Sequence, residues 1–335
     1  MTERALYFTG PETVRTRPVD VGAPDGDELR VDTRRSAISA GTELLVYRDE
    51  MPSDLRADET IDALDGDLSY PIRYGYAATG VVTGVGRDVD DDWLDRAVFA
   101  FVPHQTGFRV TPDDVVALPE RMDAETGALL PSVETATNVV LDAAPRIGER
   151  AVVFGAGAIG LCVVRQLAAF PLAELVVVDP LVQRRELARE MGADRTIKPD
   201  AAGTAVDDAD LAVELSGQPA ALDDALDAVG YDARVVVGSW YGTKRAALNL
   251  GGRFHRDRIE IVSSQVSTID PSLRGRWDRD RRFDVALDWL DRIDASRLVT
   301  HRVPFERAAT AYELLDSDPE SAVQVVLEYP GRTEG

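Results

Sequence analysis

Residues 150–179 constrain this chain more than any other stretch. The apolar run RAVVF reads as a strand, Gly155-Ala156-Gly157-Ala158-Ile159-Gly160 follows it directly, IGLCVVRQL continues as a helix, and the next apolar run, ELVVVDP, carries Asp179 at its end. A bare G-x-G-x-x-G is weak evidence. With a strand before it, a helix after it and an acid nineteen residues past Gly160, it implies a βαβ unit built for a dinucleotide. Gly155 serves the tight turn, Gly157 lets the backbone approach a pyrophosphate, and Gly160 allows close helix packing. Ala158 and Ile159 occupy the first helical positions, where free N–H groups and a partial positive charge attract phosphate. Asp179 suits the ribose hydroxyls and repels a 2′-phosphate, which favours NAD(H). Arg184 and Arg185 on the following helix can neutralise such a phosphate, so NADP(H) stays possible.

From about residue 124 onward, strands and helices alternate: ELVVVDP, QRRELAREMGA, DLAVELSG, PAALDDALDAV, ARVVVGSW. Near-continuous apolar strands indicate a parallel sheet with both faces covered by helices. A last strand, RIEIVSSQV, closes this region near residue 268. Upstream, LRVDT, TGVVTGV, RAVFAFV and VVALP are short β-type runs separated by Gly, Pro and Asp, the pattern of an all-β barrel or sandwich. Residues 51–68 are polar and irregular, as in a surface insertion beside a site. The tail (FDVALDWLDRI, ERAATAYELLDS, AVQVVLEY) begins after the alternation ends and is expected to fold back onto the first domain. The expected division is therefore 1–123, 124–268 and 269–335.

The formal charge of -22 in 335 residues comes with only two lysines, Lys198 and Lys244. Such a surface repels nucleic acid and anionic lipid, and acidic excess with scarce lysine fits a high-salt cytoplasm, where screening shortens self-repulsion. The single cysteine, Cys162, excludes an internal disulfide and a cysteine-rich zinc site. No apolar run approaches the ~18 residues of a membrane span. The start, MTERALYFTG, lacks the basic-then-apolar order of a signal peptide, so a cytoplasmic location is expected.

Four stretches, SAISAGTELLVYR (36–48), RYGYAATGVVTGVG (73–86), the glycine fingerprint and SRLVTHRVPFERAATAYELL (296–315), resemble the medium-chain dehydrogenase/reductase superfamily, the alcohol dehydrogenase-like enzymes. The resemblance spans nearly the whole chain. AISAGTE and FVPHQ are similar to the branch that includes bacteriochlorophyllide-type dehydrogenases. The implied fold is α/β, a GroES-like β-rich catalytic domain plus a Rossmann domain with a doubly wound parallel sheet. Zinc-dependent members carry a cysteine before Gly-Thr/Ser, a Gly-His-Glu-x-x-Gly, and a third ligand before the cofactor-domain helix. This sequence has Ala40, Tyr76 with Ala77, and Pro131 in those places, and it lacks the four-cysteine structural lobe. Both metals of the wider family are expected to be absent.

Without a metal, something else must polarise the substrate oxygen. Thr42 matches the hydroxyl that relays a proton in the zinc enzymes, although a local turn bond would explain it equally. Tyr76 stands where a ligand would point; its phenol can donate to a substrate oxygen, or simply fill the lost metal's volume. His104 titrates near neutrality and suits a proton shuttle, against the plainer reading of a loop histidine. His255 and His301 read as structural. Thr135 matches a threonine that touches the nicotinamide in the family, while Gly217 and Gly238 end strands where the dinucleotide crosses the sheet. Glu43 and Glu134 suit orienting a hydroxyl or a guanidinium, and Trp240, Tyr241 and Trp277 line either a surface or the core. The favoured expectation is a zinc-independent, NAD(H)-dependent oxidoreductase interconverting a secondary alcohol and a ketone on a small molecule. The alternatives are a quinone or enoyl reductase using NAD(P)H, and a dinucleotide-binding protein without turnover. RIEIVSSQV, the edge strand that joins subunits in relatives, implies a homodimer or a dimer-based tetramer.

Overall fold

The computed structural model describes residues 2–52, 64 and 67–330. Most of the insertion expected at 51–68 lies outside the described residues. Contacts divide the chain into two compact units, Met1–Pro131 with Asp294–Gly335, and Ser132–Ile293.

In the first unit, β1 (Arg4–Gly10) and β2 (Thr13–Pro18) form a hairpin, and β3 (Leu29–Ala37) leads into helix α1 (Ala40–Tyr47). Strands β4 (Ala78–Val85), β5 (Ala97–Ala100), β6 (Gly107–Val110) and β7 (Val115–Ala117) follow, with the short helix α2 (Ala124–Gly127) after them. Each strand alternates buried and exposed positions only in part, because the sheet is covered on several sides. Gly80 lets β3 and β4 approach closely, since a Cβ there would lie 2.4 Å from the carbonyl oxygen of Asp32 on the neighbouring strand. The chain returns through α10 (Ala295–Leu298), β14 (Val299–Pro304), α11 (Ala308–Ser317) and β15 (Gln324–Glu328). β15 pairs antiparallel with β3, and the seven-stranded order is β14-β15-β3-β4-β5-β7, with β6 also on β3. Leu6, Phe8, Ile38, Tyr74, Phe305 and Tyr312 share one apolar core with α1 and α11.

The second unit contains most of α3 (Leu130–Ala143), then β8 (Arg150–Phe154), α4 (Ala158–Leu167), β9 (Glu174–Val178), α5 (Val182–Glu190), β10 (Arg195–Ile197) and α6 (Pro199–Ala205). It continues with β11 (Ala209–Glu214), α7 (Pro219–Ala228), β12 (Val229–Val237), α8 (Arg253–Arg256), β13 (Glu260–Ser263) and α9 (Arg279–Leu290). All six strands run parallel in the order β10-β9-β8-β11-β12-β13. The chain moves outward from β8 to β10 and then crosses back to β11, which makes the β8/β11 boundary the topological switch point where such sheets bind ligands. Val152, Val153, Val177, Leu211 and Val213 are fully buried or nearly so, the reason these strands read as continuous apolar runs.

Two expectations need adjustment. Residues 269–293, expected with the returning tail, pack in the second unit, because Arg282 and Phe283 of α9 are buried there. The last strand of the parallel sheet is four residues long rather than the full RIEIVSSQV run.

Candidate active site

The glycine turn of the second unit has the local geometry a diphosphate needs. Gly155 adopts φ +98°, and a Cβ there would lie 2.7 Å from Leu215 O and the backbone of Ser216. At Gly160 a Cβ would lie 2.1 Å from Gly155 O. Both positions are closed to any side chain by backbone, which does not yield cheaply. Gly157 differs: it is the N-cap of α4, and a Cβ there would meet nothing within 4 Å. Gly157, Ala158 and Ile159 are partly exposed. Of the three glycines, only Gly157 has open space in front of it.

Asp179 closes this turn from the neighbouring strand end. Its Oδ2 accepts from the Ala156 N–H at 2.8 Å, and its Oδ1 accepts from the Leu181 N–H at 2.8 Å. Arg185 donates through Nη1 to the carbonyls of Asp179 and Pro180, both at 2.7 Å, so it braces the strand end. Arg184 is half-exposed on the same helix. On the other side of the turn, Gly217 has φ +68° with open space about its Cα, and its N–H donates to Ser239 Oγ at 2.9 Å. Gly238 serves packing, since a Cβ there would lie 2.7 Å from Leu215 Cδ2.

Glu214 ends β11 fully buried and was not singled out from sequence. It accepts from the Ser216 N–H at 2.7 Å, from Ser216 Oγ at 2.5 Å, and from the Tyr241 hydroxyl. Burial, then this carboxylate, pushes the Tyr241 phenol far up. An acid ending an apolar strand just before Ser-Gly was the available signal.

Thr135 is half-buried on α3, beside Glu134, which accepts from Arg282 Nη2 at 2.7 Å and Nε at 3.1 Å. Arg282 Nη1 also donates to Asn138 Oδ1 at 2.7 Å. Glu134 therefore holds a guanidinium, one of the two roles it suited. Burial raises its carboxyl against the lowering effect of Arg282.

In the first unit, Thr42 and Tyr76 are half-buried. The Tyr76 hydroxyl donates to Ser39 Oγ at 2.6 Å. His104, expected to shuttle protons, has no exposed side chain. Its Nε2 lies 3.0 Å from Glu43 Oε2 and its Nδ1 lies 2.7 Å from Ser36 Oγ. Direct contact with a substrate is closed to it as placed, because its ring is packed among Ser36 of β3, Glu43 of α1 and Gly75. Glu43, also fully buried, accepts from Tyr312 Oη at 2.6 Å and from the Ser39 N–H at 2.7 Å. Tyr329 Oη lies 2.8 Å from Ser36 Oγ. Burial pushes both phenols, Tyr312 and Tyr329, well above their ordinary range.

RYGYAATG now has a local explanation. Arg73 donates to Gln105, and Gly75 at φ +89° gives room to the histidine, since a Cβ would lie 2.3 Å from His104 Cδ2 and Nε2. The stretch packs onto His104 and Gln105. The donor set does not fit zinc. Ala40, Ala77 and Pro131 offer no donor atom, His104 and Glu43 are bonded to each other, and among the described residues no three His, Cys, Asp or Glu side chains converge.

A family model described as zinc-binding dehydrogenase matches residues 158–283. D-guloside 3-dehydrogenase of Escherichia coli (strain K12) is 24% identical over 350 residues, covering 97% of this chain and 100% of that protein. Among solved structures, a short chain alcohol dehydrogenase (RspB) from E. coli CFT073, complexed with NADH, superposes with a TM-score of 0.77 at 20% identity, covering 97% of this chain and 99% of that one. Galactitol-1-phosphate dehydrogenase from Escherichia coli gives a TM-score of 0.77 at 19% identity over 97% and 99%. The structural likeness shows the fold, a GroES-like unit with a Rossmann unit.

Proposed function

We propose that this chain is a zinc-independent, NAD(H)-dependent oxidoreductase of the alcohol dehydrogenase-like family that interconverts a secondary alcohol and a ketone. The observation that carries the reading is the glycine turn tied to Asp179 through the Ala156 N–H, with open space in front of Gly157 alone. Asp179 keeps unshared acceptor capacity for ribose hydroxyls and repels a 2′-phosphate. Gly155, Gly157, Ala158, Ile159 and Gly160 hold the diphosphate, Arg184, Gly217 and Gly238 flank it, and Thr135 serves the nicotinamide. The relative's sugar-derived substrate makes a polyhydroxylated secondary alcohol the substrate class we favour.

Bound nicotinamide supplies or takes the hydride, and the protein manages position and one proton. In ketone reduction, the Tyr76 phenol gives its proton to the substrate oxygen as hydride reaches the carbon. Ser39 Oγ, which now accepts from that phenol, then turns to donate to the phenolate. Thr42 adds a second hydroxyl to the oxygen. His104 acts from behind, through Glu43. The test is turnover of secondary polyols and their ketones in molar KCl, with NADH against NADPH. NADH is expected to be preferred, chelators to leave the rate unchanged, and Tyr76→Phe to lower kcat about 100-fold with NADH affinity unaltered, as loss of a general acid implies. NADPH preference, or zinc-restorable loss on chelation, would overturn it.

We also propose a homodimer through β13, whose Glu260, Ile261 and Ser263 are exposed at the sheet edge. An apolar, unpaired edge strand is a template for pairing. Light scattering is expected to give a dimer or tetramer, and Ile261→Asp a monomer with its fold retained. A monomeric parent protein in high salt would end the idea. We place the enzyme in a salt-rich cytoplasm on its charge of -22 and its two lysines; among the described residues no helix is long and apolar enough to cross a membrane.

A further inference from the structure

The polar groups buried in the first unit obey a stricter rule than proximity. Three groups converge on Glu43: the Ser39 N–H on Oε1, and Tyr312 Oη with His104 Nε2 on Oε2. Tyr312 Oη and a bare Nε2 could each accept a carboxylic proton, so the hydrogens are placed from the far side of the ring, where two arrangements exist. If Nδ1 carried a hydrogen, Ser36 Oγ would accept it and donate to Tyr329 Oη, leaving the phenolic hydrogen of the buried Tyr329 without an acceptor. If Nδ1 is bare, Tyr329 donates to Ser36, Ser36 donates to Nδ1, Nε2 carries the ring's hydrogen and donates with Tyr312 to Glu43 as a carboxylate, and every donor is used. Buried donors are rarely left unmade.

We infer that Glu43 and His104 form one buried unit of single negative charge, with His104 fixed as the neutral Nε2–H tautomer, and that this unit positions Ser39 and Tyr76. It holds them from two sides. Glu43 grips the N-cap of α1 through the Ser39 N–H, and Ser39 Oγ accepts from Tyr76. His104 lies against Gly75, the residue before Tyr76, closely enough that no side chain fits between them. The positive end of α1 favours the carboxylate in its first turn. The groups facing the pair come from β3 (Ser36), the N-cap of α1 (Ser39), α11 (Tyr312) and the residue after β15 (Tyr329), and no cation is among them. Glu43 and His104 are positioning residues, and their effect on turnover rests on the role proposed for Tyr76.

The chain has three histidines, so imidazole nitrogens labelled with ¹⁵N can be assigned by His104→Gln. The His104 ring is expected to show the Nε2–H tautomer, with Nδ1 bare. An Nδ1–H tautomer, or hydrogens on both ring nitrogens of His104, would overturn the inference whether or not the protein turns over any substrate. Glu43→Gln is expected to lower kcat about tenfold and to move the pH profile of kcat, with NADH affinity unchanged. Should Glu43→Gln misfold, Tyr312→Phe removes one donor from Glu43 and is expected to shift the His104 ¹⁵N resonances and lower kcat about threefold. A change in melting temperature alone, with kcat and its pH profile intact, would reject positioning. A fixed tautomer in a protein whose Tyr76→Phe variant retains full turnover would instead reject the catalytic reading of Tyr76.

Discussion

Gly157→Val is expected to leave the apo fold intact and to weaken NADH binding by about 100-fold, roughly 3 kcal/mol. The three fingerprint glycines are needed for different reasons, and the structure separates them. A methyl at Gly155 would strike the backbone of Leu215 and Ser216 at a positive φ, and one at Gly160 would strike Gly155 O at 2.1 Å. Substitutions there damage the βα turn itself, so lost binding would be indistinguishable from lost structure. Gly157 sits in the extended region at φ -75° with nothing within 4 Å of a built Cβ. A branched side chain therefore costs the apo protein little, but it occupies the space through which a diphosphate must reach the N–H groups of α4. The contrast is the measurement: Gly157→Val and Gly160→Ala are compared by urea denaturation and by NADH titration. Gly157→Val should keep the parent midpoint while losing affinity, and Gly160→Ala should lose stability. Unchanged NADH affinity in Gly157→Val would mean that the ligand does not lie on this turn.

The parts of the protein that were legible in sequence are those whose signals are local. The strand RAVVF, the glycine turn, the apolar face of α4 and the acid at the next strand end all lie within thirty residues, and each is a direct consequence of backbone geometry. The alternation of apolar strands with helices was legible for the same reason. What stayed hidden depends on contacts between distant positions. His104 and Glu43 are 61 residues apart, and Glu43 and Tyr312 are 269 apart, so nothing in the FVPHQ stretch foretells that its histidine faces inward. Residue type pointed the other way, since a lone histidine suggests titration in solvent. The tail boundary has a similar cause. Arg282 reads as a solvated arginine in an arginine-rich stretch, because arginines are rarely fully buried unless paired, and its partner lies 148 residues earlier. Only the fold shows that α9 belongs with α3.

That pairing makes Arg282→Met the most destabilising single change we expect, about 3–5 kcal/mol, the range for breaking a buried ion pair from one side. Arg282 and Glu134 are 3% and 4% exposed, so removing the guanidinium strands a carboxylate where water cannot reach it. The loss extends further, because Arg282 also donates to Asn138 Oδ1, and the Asn138 amide donates to Asp142 at 2.9 Å and to Ser264 at 3.2 Å. The sign of the pH dependence follows from Glu134. Burial already raises its carboxyl against the opposing pulls of Arg282 and Arg279, and without Arg282 only the smaller pull of Arg279 opposes burial. A carboxyl whose folded pKa exceeds its unfolded value, about 4.3, binds a proton more tightly in the folded state, so its contribution falls as pH rises through that window. Arg282→Met should therefore be worst near neutrality and recover as the pH falls and Glu134 becomes protonated and neutral. Glu134→Leu combined with Arg282→Met leaves no stranded charge and should lie closer to the parent than Arg282→Met alone. Trp240, Trp277 and Trp289 all belong to the second unit, so urea unfolding followed by tryptophan fluorescence reads the affected region. If Arg282→Met unfolds with the parent midpoint, or is no less stable at neutral pH than in acid, the pair is not what holds α9 to α3.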